Sequence, residues 1–405
     1  MCLLHAASKV LSEEKLLAVH VNHQLQADAD TWEAFCEQHA HQYQIEFHAL
    51  RIQINRPEAN IEAQARQQRY QAIASQMQAE DILVTAHHQD DQAETLLLQL
   101  MRGAGVDGLS AMAVVSDFSP GKLVRPWLSV SRKALEDYAR INHLHWVNDP
   151  SNADDRFNRN FIRNQVLSLL SERWPAVTQM LARSAENLSE AKELVDLQSQ
   201  TDLSVCLGNY QHSLAIKKLE KFSQARQNFL LRQWFLNNGY LAPERDQLNT
   251  LLSEIVEARN DASPLLQTVD WQLRRFDGYL YLLPDSLPVL VQARTIEIDL
   301  YSIESGLINV PVPVGNLAFE IIETGLFTDQ KFNVRFRSEG DEVKLEKRSG
   351  TKKLKKLFQE WQVPPWMRNY VPMLYLDDEC IAIADYAKCQ SDHGKIVDNI
   401  CFCLL

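Results

Sequence analysis

Several features that define whole classes of protein are absent from this sequence of 405 residues. No apolar run approaches the roughly 18 residues that a helix needs to cross a bilayer. The first residues carry no basic segment that leads into an apolar stretch, which is the pattern of a signal peptide. The seven cysteines are scattered and none forms a C-x-x-C pair, so we predict neither a disulfide framework nor a structural zinc site. These absences favour a protein of the reducing cytoplasm that does not contact a membrane.

Positive charge is scarce overall, because the net charge is −12. This balance argues against indiscriminate binding of nucleic acid. One stretch is an exception, since four acidic residues there stand against eight basic ones: Arg337, Lys344, Lys347, Arg348, Lys352, Lys353, Lys355 and Lys356. An acidic protein with one basic strip can bind a polyanion selectively. A solvated helix face explains the same charges, and charge alone does not decide between the two.

The chain is too long for a single core, and its patterns divide it into four parts. In residues 1–165, predicted buried strands at 16–21 and 82–85 and further strands at 45–50 and 123–124 alternate with helices, one of them capped by Asn60. This alternation predicts an α/β fold with a doubly wound parallel sheet. Residues 166–285 form a mainly helical domain that ends in strands, and 286–331 are a linker. Residues 332–405 are a small α+β domain with a basic helix at 352–359.

A polar cluster lies where the predicted strand at 82–85 passes into a helix. It contains His87, His88, Asp90 and Asp91. In open α/β sheets, ligands bind at the carboxyl ends of the strands, and a helix N-terminus there offers unpaired N–H groups. A structural alternative is that Asp91 and Glu94 form a capping box at the start of the helix. The pattern Gly103-x-Gly105-x-x-Gly108 follows this helix instead of opening one, so it predicts a helix stop and a flexible loop, and not a dinucleotide site.

Two pairs of arginines accompany this cluster along the chain. Arg66 and Arg69 follow Glu62 on one helical stripe. The structural alternative is an exposed ion pair with Glu62, and the functional one is binding of a phosphate or carboxylate by the two arginines. Arg159 and Arg163 share a helix face directly after a turn-rich loop at 146–152. In that loop, self-bonding is the structural alternative for Asn152. The arginines are harder to explain structurally, because the turn brings polar side chains together beside them.

Ten short motifs occur in a fixed order along the sequence. They are His20-Val-Asn-His23, Glu62-x-x-Ala-Arg66-x-x-Arg69-Tyr70, Ala86-His-His-Gln-Asp-Asp-Gln-Ala-Glu-Thr95, Arg102-Gly-x-Gly-x-x-Gly-Leu109, Arg125-Pro126, Ser131-Arg132, Trp146-x-x-Asp149-x-Ser151-Asn152, Arg159-Asn-x-Ile-Arg163, Lys352-Lys-Leu-Lys-Lys-Leu-Phe358 and Val363-Pro-Pro-Trp366. Each motif is weak alone, but the ordered set is highly specific. Over essentially its whole length the chain resembles the tRNA(Ile)-lysidine synthase family, whose catalytic domain is adenine nucleotide alpha hydrolase-like.

The resemblance implies a reaction and roles for the residues in the motifs. Such an enzyme uses ATP and Mg²⁺ to adenylate carbon 2 of the wobble cytidine in tRNA(Ile) with a CAU anticodon, and free L-lysine then displaces AMP. The implied catalytic residues are Asp91, Glu94, His87 and Arg159, with Asp91 and Glu94 also candidates for holding Mg²⁺. The residues implied for ATP are His20, Asn22, His23, Arg66 and Arg69. Those implied for the other substrates are Asp90, Arg125, Asn152, Arg163, Lys352, Lys353, Lys355 and Lys356. A homodimer is left open.

One departure from the family pattern concerns the phosphate loop. The family opens with a strand and a Ser-Gly-Gly-x-Asp-Ser loop that cradles pyrophosphate, whereas residues 1–5 align with the helix after that loop. We therefore expect a start codon further upstream, or a fragment or decayed copy that binds ATP poorly and exposes a sheet edge. Two alternative functions stay open: a non-catalytic tRNA-binding protein, and a tRNA-thiolating enzyme. The absence of cysteine from the motifs speaks against the second.

Overall fold

The chain forms two compact units in this computed structural model, Met1–Val195 and Asp196–Leu405. The unit boundary falls inside a long helix, later than the boundary expected at residue 165, and the division into four parts stays a prediction. The predicted helix cap Asn60 lies outside the described residues. The structure describes residues 1–24, 26, 28–52, 61–208, 213–256, 264–287, 295–298, 306–311, 316–321, 332–346, 348, 350–376, 378–384, 386–390 and 400–404.

Helices and strands alternate through the first unit, as the sequence predicts. Its helices are α1 (Cys2–Val10), α2 (Ala29–Gln42), α3 (Ile61–Ala74), α4 (Gln89–Met101), α5 (Val106–Leu109), α6 (Arg132–Ile141), α7 (Asn158–Phe161), α8 (Leu167–Arg173) and the start of α9 (Val177–Cys206). Its strands are β1 (Leu17–Asn22), β2 (Glu46–Arg51), β3 (Ile82–Val84), β4 (Val115–Phe118) and β5 (Gly121–Val124). β1 pairs with β2, and β3 with β5, both in parallel, while β4 adds an antiparallel edge. The parallel pairs confirm the predicted α/β class.

The strands β1 and β3 are less buried than the sequence predicts. Their two sheets, β1-β2 and β3-β5-β4, share no ladder in the described part of the chain. Leu17 is consequently 45% exposed, and on β3 Ile82 is 60% and Val84 43% exposed. The expectation of a buried strand at 82–85 was wrong, because an apolar run predicts a strand but the pairing of sheets decides how much of it is covered.

Packing of α4 against the α7–α8 segment forms the core that positions the polar cluster. Ala93 and Leu97 of α4 are buried together with Ile162 and Leu167. A single π-helical turn, Ile162–Val166, joins α7 to α8. π-Helical turns inserted in helices are frequent at functional sites. The apolar stripe of α4 therefore brings the next residues on its surface up to the arginines of α7 and the π turn.

The end of α4 confirms one prediction and corrects another. Gly103 has φ of +69°, and the amide of Ala104 donates to the carbonyl of Gln99 at 3.0 Å. Glycine adopts this conformation without a steric penalty, so Gly103 ends the helix as predicted. The flexible loop predicted after it was wrong, since Val106–Leu109 forms the short helix α5.

The second unit begins with helices that pack on an antiparallel sheet. After α9 come α10 (Ile216–Leu219), α11 (Gln224–Asn237), α12 (Arg245–Thr250) and a π turn at Leu251–Val256. The sheet has the order β6-β9-β8-β7, from β6 (Ser213–Ala215), β7 (Leu265–Gln267), β8 (Trp271–Phe276) and β9 (Tyr279–Pro284). Asp277 and Gly278, with φ of 48° and 78°, form the tight turn between β8 and β9. The middle region is thus helical with one sheet.

The rest of the second unit is mostly antiparallel strand. It contains β10 (Thr295–Ile298), β11 (Gly306–Pro311), β12 (Asn316–Ile321), β13 (Phe332–Phe336), β14 (Glu342–Lys344), β15 (Thr351–Lys353), β16 (Pro372–Leu376), β17 (Glu379–Ile383), β18 (Ala387–Lys388) and β19 (Ile400–Leu404), with one helix, α13 (Leu354–Glu360). The predicted basic helix was therefore wrong at its start. Lys352 and Lys353 pair with β14 as a strand, because ladder hydrogen bonds override the weak helical preference of a short lysine run.

None of the helices in the described part of the chain is both long and apolar enough to cross a lipid bilayer.

Candidate active site

The candidate active site begins at the carboxyl end of β3. The amide of Thr85 donates to the carbonyl of Val124 at 3.0 Å, which prolongs the pairing of β3 with β5. His88 then forms a parallel bridge with Trp127, and the amide of Gln89 donates to the carbonyl of Val130 at 2.9 Å. These bonds hold the segment between β3 and α4 along its length. The first turn of α4 is therefore positioned by the sheet.

Asp91 caps α4, but with a different partner from the one predicted. The N-cap residue is His88, and its amide donates to Asp91 Oδ2 at 3.0 Å. The predicted box between Asp91 and Glu94 was wrong, because Asp91 occupies the third position of the helix and bonds back toward its start. One carboxylate oxygen of Asp91 accepts the hydrogen bond of this cap, and the other oxygen faces the arginines.

Glu94 lies at the centre of a buried ion-pair network. It is 0% exposed. Its Oε2 accepts from Arg159 Nε at 2.7 Å, and its Oε1 accepts from Arg163 Nε at 2.5 Å. Arg159 also donates from Nη2 to Asp91 Oδ1 at 3.1 Å. We name these four residues, Asp91, Glu94, Arg159 and Arg163, the ion-pair cluster. The structure thus brings together four side chains that the sequence placed in two distant motifs.

Hydrogen bonds also order the loop that precedes α7. Asp149 Oδ1 accepts from the amide of Ser151 at 2.8 Å, and Asn160 Nδ2 donates to the carbonyls of Ser151 and Asp154. Asn164 donates to the backbone carbonyl of Asn152 at 3.1 Å. Asn152 itself is exposed. The self-bonding expected of this loop is present at Asp149, while substrate binding by Asn152 stays a prediction.

His87 is a half-buried imidazole above the ion-pair cluster. Its Nδ1 lies 2.8 Å from the hydroxyl of Thr85. Burial lowers the pKa of His87 to about 4, and the nearby charges of Arg125, Arg159 and Arg66 add to this, against the opposing effect of Asp91. The sequence analysis missed Thr85. A hydroxyl residue two positions before a histidine at a strand end was the available signal.

We expect the stability of the protein to fall as the pH falls from about 6.5 to about 4, in part because of His87. Its pKa is about 4 in the folded chain and about 6.5 in an unfolded one, so the unfolded chain binds the proton first in this window. Thermal unfolding as a function of pH measures the effect. His87→Asn should remove this part of the dependence, and NMR titration should give an imidazole midpoint near 4. A midpoint near 6.5 would contradict the burial argument.

The residues predicted for ATP gather at the carboxyl end of β1. Asn22 is buried and donates to Glu33 Oε2 at 2.8 Å and to Asp30 Oδ1 at 3.2 Å. Arg69 donates from Nε to His23 Nε2 at 3.1 Å. Burial lowers the pKa of His23, and the Arg69 charge adds to this. These contacts join β1 to α2 and α3, and Asn22 uses its amide to hold α2.

Glu33, which the sequence analysis missed, belongs to the same group. Its carboxylate accepts from Arg51 as well as from Asn22, and the bonds to Arg51 and then Asn22 lower the pKa of Glu33. Burial lowers the pKa of His20, and the Glu33 charge opposes this shift. Glu33 lies on an amphipathic helix that contains no motif, so the sequence alone did not indicate it as a site residue.

Arg125 and Asp90 are fixed by backbone groups. Arg125 is buried and donates from Nη1 to the carbonyl of Ala113 at 2.8 Å, while its Nε is buried with no hydrogen-bond partner within the described ranges. Asp90 Oδ2 accepts from the amide of Arg132 at the start of α6 at 3.0 Å. The guanidinium of Arg66 lies 5.1 Å from the centre of the Tyr70 ring. Among the described residues, no hydrogen-bond partner is present for the Nε of Arg125, and Arg66 is placed against the Tyr70 ring.

Two buried polar atoms of the site are suited to ATP. In the part of the chain that the structure describes, Arg125 Nε and His23 Nδ1 have no hydrogen-bond partner, so they fit an anionic or hydrogen-bonding ligand. No group of three His, Cys, Asp or Glu side chains suited to a metal ion exists among the described residues. Mg²⁺ commonly binds through one or two carboxylates together with substrate phosphates. Asp90 and Asp91 fit that mode better than Glu94, whose two oxygens both accept from arginine.

The four predicted tRNA-binding lysines differ in their surroundings. Lys353, Lys355 and Lys356 are exposed, whereas Lys352 is half-buried. Lys352 Nζ donates to Glu360 Oε1 at 3.0 Å, and Arg348 contacts the same carboxylate. Lys347, from the same basic strip, lies outside the described residues. Three exposed cations are therefore available on this surface.

Comparison with known proteins covers most of the chain. Residues 1–170 match a family model described as a PP-loop domain, 214–281 one described as a TilS substrate binding domain, and 332–396 one described as a TilS substrate C-terminal domain. The first match confirms the predicted α/β class of the N-terminal region, and all three follow the order expected from the motifs.

Curated relatives match the chain from end to end. The tRNA(Ile)-lysidine synthase of Coxiella burnetii is 37% identical over 401 residues, covering 97% of this chain and 88% of that protein. That of Proteus mirabilis is 38% identical over 373 residues, covering 91% and 83%. That of Serratia proteamaculans is 39% identical over 383 residues, covering 94% and 86%. On these matches and on the ordered motifs, the chain belongs to the tRNA(Ile)-lysidine synthase family.

Proposed function

We propose that this protein is a ligase that joins the ε-amino group of free L-lysine to carbon 2 of the wobble cytidine in tRNA(Ile) with a CAU anticodon. In the first step the base oxygen attacks the α-phosphorus of ATP and pyrophosphate leaves. In the second step the lysine nitrogen bonds to carbon 2, its proton is lost, and AMP leaves with the oxygen. The observation that carries the proposal is the convergence of Asp91, Glu94, Arg159 and Arg163 at the end of β3.

The charge balance of the site favours an incoming ammonium group. Asp90, Asp91 and Glu94 bring three negative charges, and Arg159 and Arg163 bring two positive ones. Both carboxylate oxygens of Glu94 accept hydrogen bonds from the arginines. The remaining negative charge of the site lies on its exposed side, toward Asp90 and Asp91. A carboxylate within about 4–6 Å stabilises an ammonium ion. The site therefore suits the ε-ammonium group of lysine more than it suits an anion.

Asp91 is the residue placed to take the proton from the attacking amine. Lysine has a pKa of about 10.4, so making it neutral at pH 7 costs roughly 4.6 kcal/mol. A positioned carboxylate recovers part of this cost by accepting the proton as the new bond forms. Asp91 keeps one oxygen in the cap of α4 and holds the other beside Arg159. This arrangement fixes its direction while it remains partly open to solvent.

Two further cations near His87, Arg66 and Arg125, suit the leaving group. Charge develops on the oxygen between carbon 2 and phosphorus as AMP departs, and arginines aimed at it lower the barrier. Arg66 and Arg125 both act on the charge of His87, which places them around this imidazole. With a pKa of about 4, His87 itself is neutral at pH 7, so its imidazole can hydrogen-bond to the substrate without adding a positive charge.

ATP and Mg²⁺ are the cofactors that this reaction needs. When bound, ATP supplies the adenylyl group and Mg²⁺ offsets the charge of its phosphates. The buried polar atoms of His23 and Arg125 fit the nucleotide, and Asp90, which uses only Oδ2 in its bond to the amide of Arg132, fits the metal. Asn22 and Arg69 support this region by holding α2 and α3 against β1.

Two other functions are less well supported by the site. A tRNA-thiolating enzyme needs a reactive thiolate, but burial raises the pKa of Cys36 in the first unit, which disfavours the reactive form. A non-catalytic tRNA-binding protein has no use for a buried cluster of two carboxylates and two arginines beside an orphaned arginine donor. Such buried charge is costly and is characteristically retained for function.

Lysine transfer is measured directly with the full chain, a tRNA(Ile) transcript, ATP and labelled lysine. We expect label in the tRNA, with one AMP and one pyrophosphate released per lysine. Tight binding of the tRNA without ATP–pyrophosphate exchange would instead identify a binding protein. Incorporation of labelled sulfur in place of lysine would identify the thiolating enzyme.

Reversing the exposed lysines near α13 should weaken tRNA binding and its dependence on salt. Each lysine that neutralises a phosphate contributes about 0.9 to the slope of log affinity against log salt. Lys353, Lys355 and Lys356 changed to Glu should flatten this slope, whereas Lys352→Glu alone should do less, because Lys352 is already paired with Glu360. Filter binding at several salt concentrations measures both. Lys9 and Lys15, exposed lysines outside the basic strip, are the matched control, and an unchanged slope after the triple reversal would contradict the assignment.

A further inference from the structure

Exposed aromatic rings are confined to one segment of the described chain. Trp146 is 49%, Phe157 39%, Phe161 49% and Trp174 58% exposed. All other described Phe and Trp side chains are buried or half-buried. Single exposed apolar residues are ordinary on protein surfaces. Here, however, every Phe and Trp side chain whose exposure the structure describes and that is exposed falls between 146 and 174, the segment that also supplies Arg159 and Arg163.

Phe157 and Phe161 lie on the opposite side of α7 from the arginines. Phe157 is the N-cap of α7 and Phe161 its last residue, and the amide of Phe161 donates to the carbonyl of Phe157 at 2.9 Å. Residues four apart share a face, whereas residues two apart point about 200° from each other. Arg159, between the two rings, bonds to Glu94 and Asp91. One short helix therefore carries charged groups inward and flat rings outward.

None of these rings has an aromatic or cationic partner among the residues described. Loops of RNA are recognised through their unpaired bases, which stack on aromatic side chains. A base in an anticodon loop must leave its stack before a nucleophile can reach carbon 2, and unstacking costs a few kcal/mol. Rings on the outer face of the helix that carries Arg159 can replace the stacking that neighbouring nucleotides lose. The position and flatness of these side chains suit that task.

We propose that Phe157 and Phe161, here named the aromatic platform, stack the unpaired anticodon nucleotides that flank the reacting base. The proposal rests on the proposed function for the identity of the RNA. It assigns Phe157 and Phe161 a stacking contact with RNA bases, a role distinct from those proposed for Asp91 and for the exposed lysines. The occupant is a single-stranded segment of RNA, because only unpaired bases can stack on these rings. That segment lies against α7, whose other face holds the ion-pair cluster.

The test uses the full chain and an anticodon stem-loop RNA with 2-aminopurine next to the wobble cytidine. Stacking changes the fluorescence of this base, so the signal does not depend on catalysis. Phe157→Ala and Phe161→Ala should each weaken binding about 5- to 100-fold and lose the fluorescence change. Phe→Tyr at either position should keep both, and Phe→Leu, which stays apolar but is not flat, should lose both. Trp174→Ala is the matched control, since Trp174 lies roughly 20 Å further along the helical segment.

The dependence of RNA affinity on salt distinguishes a loss of stacking from a structural change that displaces charged contacts. Rings neutralise no phosphate, so the slope of log affinity against log salt should be unchanged in the alanine variants. Full binding by the leucine variants would overturn the proposal, because it would show apolar packing instead of stacking. A protein dimer that dissociates in the alanine variants would assign the surface to a second copy and also overturn it.

Failure of the aromatic-platform proposal can be distinguished from failure of the proposed ligase function. Lysine transfer with unchanged KM for tRNA and an unchanged fluorescence signal in the alanine variants would disprove the platform and leave the ligase standing. A wild-type chain that transfers no lysine, but whose fluorescence change depends on Phe157 and Phe161, would disprove the ligase and leave the platform standing.

Discussion

Glu94→Gln is expected to destabilise the protein by about 3 kcal/mol and to lower lysine transfer by at least two orders of magnitude. Removing one partner of a buried ion pair costs about 3–5 kcal/mol, because the remaining charge stays buried. Glu94 is fully buried, whereas Arg159 and Arg163 keep some exposure to solvent, so the lower end of this range applies. Glutamine has nearly the same shape and leaves the two guanidinium groups with one carbonyl oxygen between them.

The expected loss of activity has a separate cause. Without Glu94, Arg159 is oriented only through Asp91, and it competes with the incoming ammonium for that carboxylate. Misplacement of a positioning group by about 1 Å can cost 100-fold in rate. Chemical denaturation and labelled-lysine transfer measure the two effects independently.

Glu136→Gln is the matched control for this prediction. Glu136 pairs with Arg132 at 3.0 Å on the exposed face of α6, as residue i+4. Exposed helical pairs of this kind contribute about 0.3–0.5 kcal/mol. If Glu94→Gln were no more destabilising than Glu136→Gln, the buried network would not be what holds α4 to α7.

Asp91→Asn should reduce lysine transfer about 100- to 10,000-fold while the fold is kept, which is the usual contribution of a general base. The amide oxygen of asparagine can still accept from the amide of His88, so the cap of α4 survives. It carries no charge to attract the ε-ammonium group and takes up no proton at neutral pH. The variant should therefore bind tRNA much as the wild type does, and it should lose less stability than Glu94→Gln, because Arg159 keeps Glu94 as its partner.

The pH profile gives this prediction a second readout. Without a base, the reaction depends on the small fraction of lysine that is already neutral, and this fraction rises tenfold for each pH unit below about 10.4. The variant should gain about tenfold in rate per unit between pH 7 and pH 9, whereas the wild type should gain less. Asp137→Asn, at an exposed pair with Arg140, is the control. Near-normal turnover of Asp91→Asn would reduce Asp91 to a helix cap.

Much of the local structure could be predicted from the sequence. Alternation of apolar strands with helices indicated the α/β class, and the conformational freedom of Gly103 marked the end of α4. The spacing of Arg159 and Arg163 placed both on one helix face, as the structure confirms. These features depend on neighbours in the chain, so residue types and spacing are sufficient to predict them.

The buried pairing at the site could not be predicted in the same way. Arg159 and Glu94 are 65 residues apart in the chain. Their contact exists because Ala93 and Leu97 pack on Ile162 and Leu167, and many surfaces of similar hydrophobicity could have packed there instead. The partner of Asp91 in the cap is His88 instead of the predicted Glu94. This change follows from the same packing, because the packing takes Glu94 out of reach of the helix start.

What the sequence by itself determined is which chemical groups this protein has and which of them lie on one turn or one strand end. Tertiary structure alone decided their partners and exposure: that β3 keeps Ile82 in solvent, that Lys352 lies in a strand beside Glu360, and that Phe157 and Phe161 face outward. Local periodicity acts over a few residues and is written in the order of the chain. Burial and pairing depend on surfaces that meet only when distant segments pack.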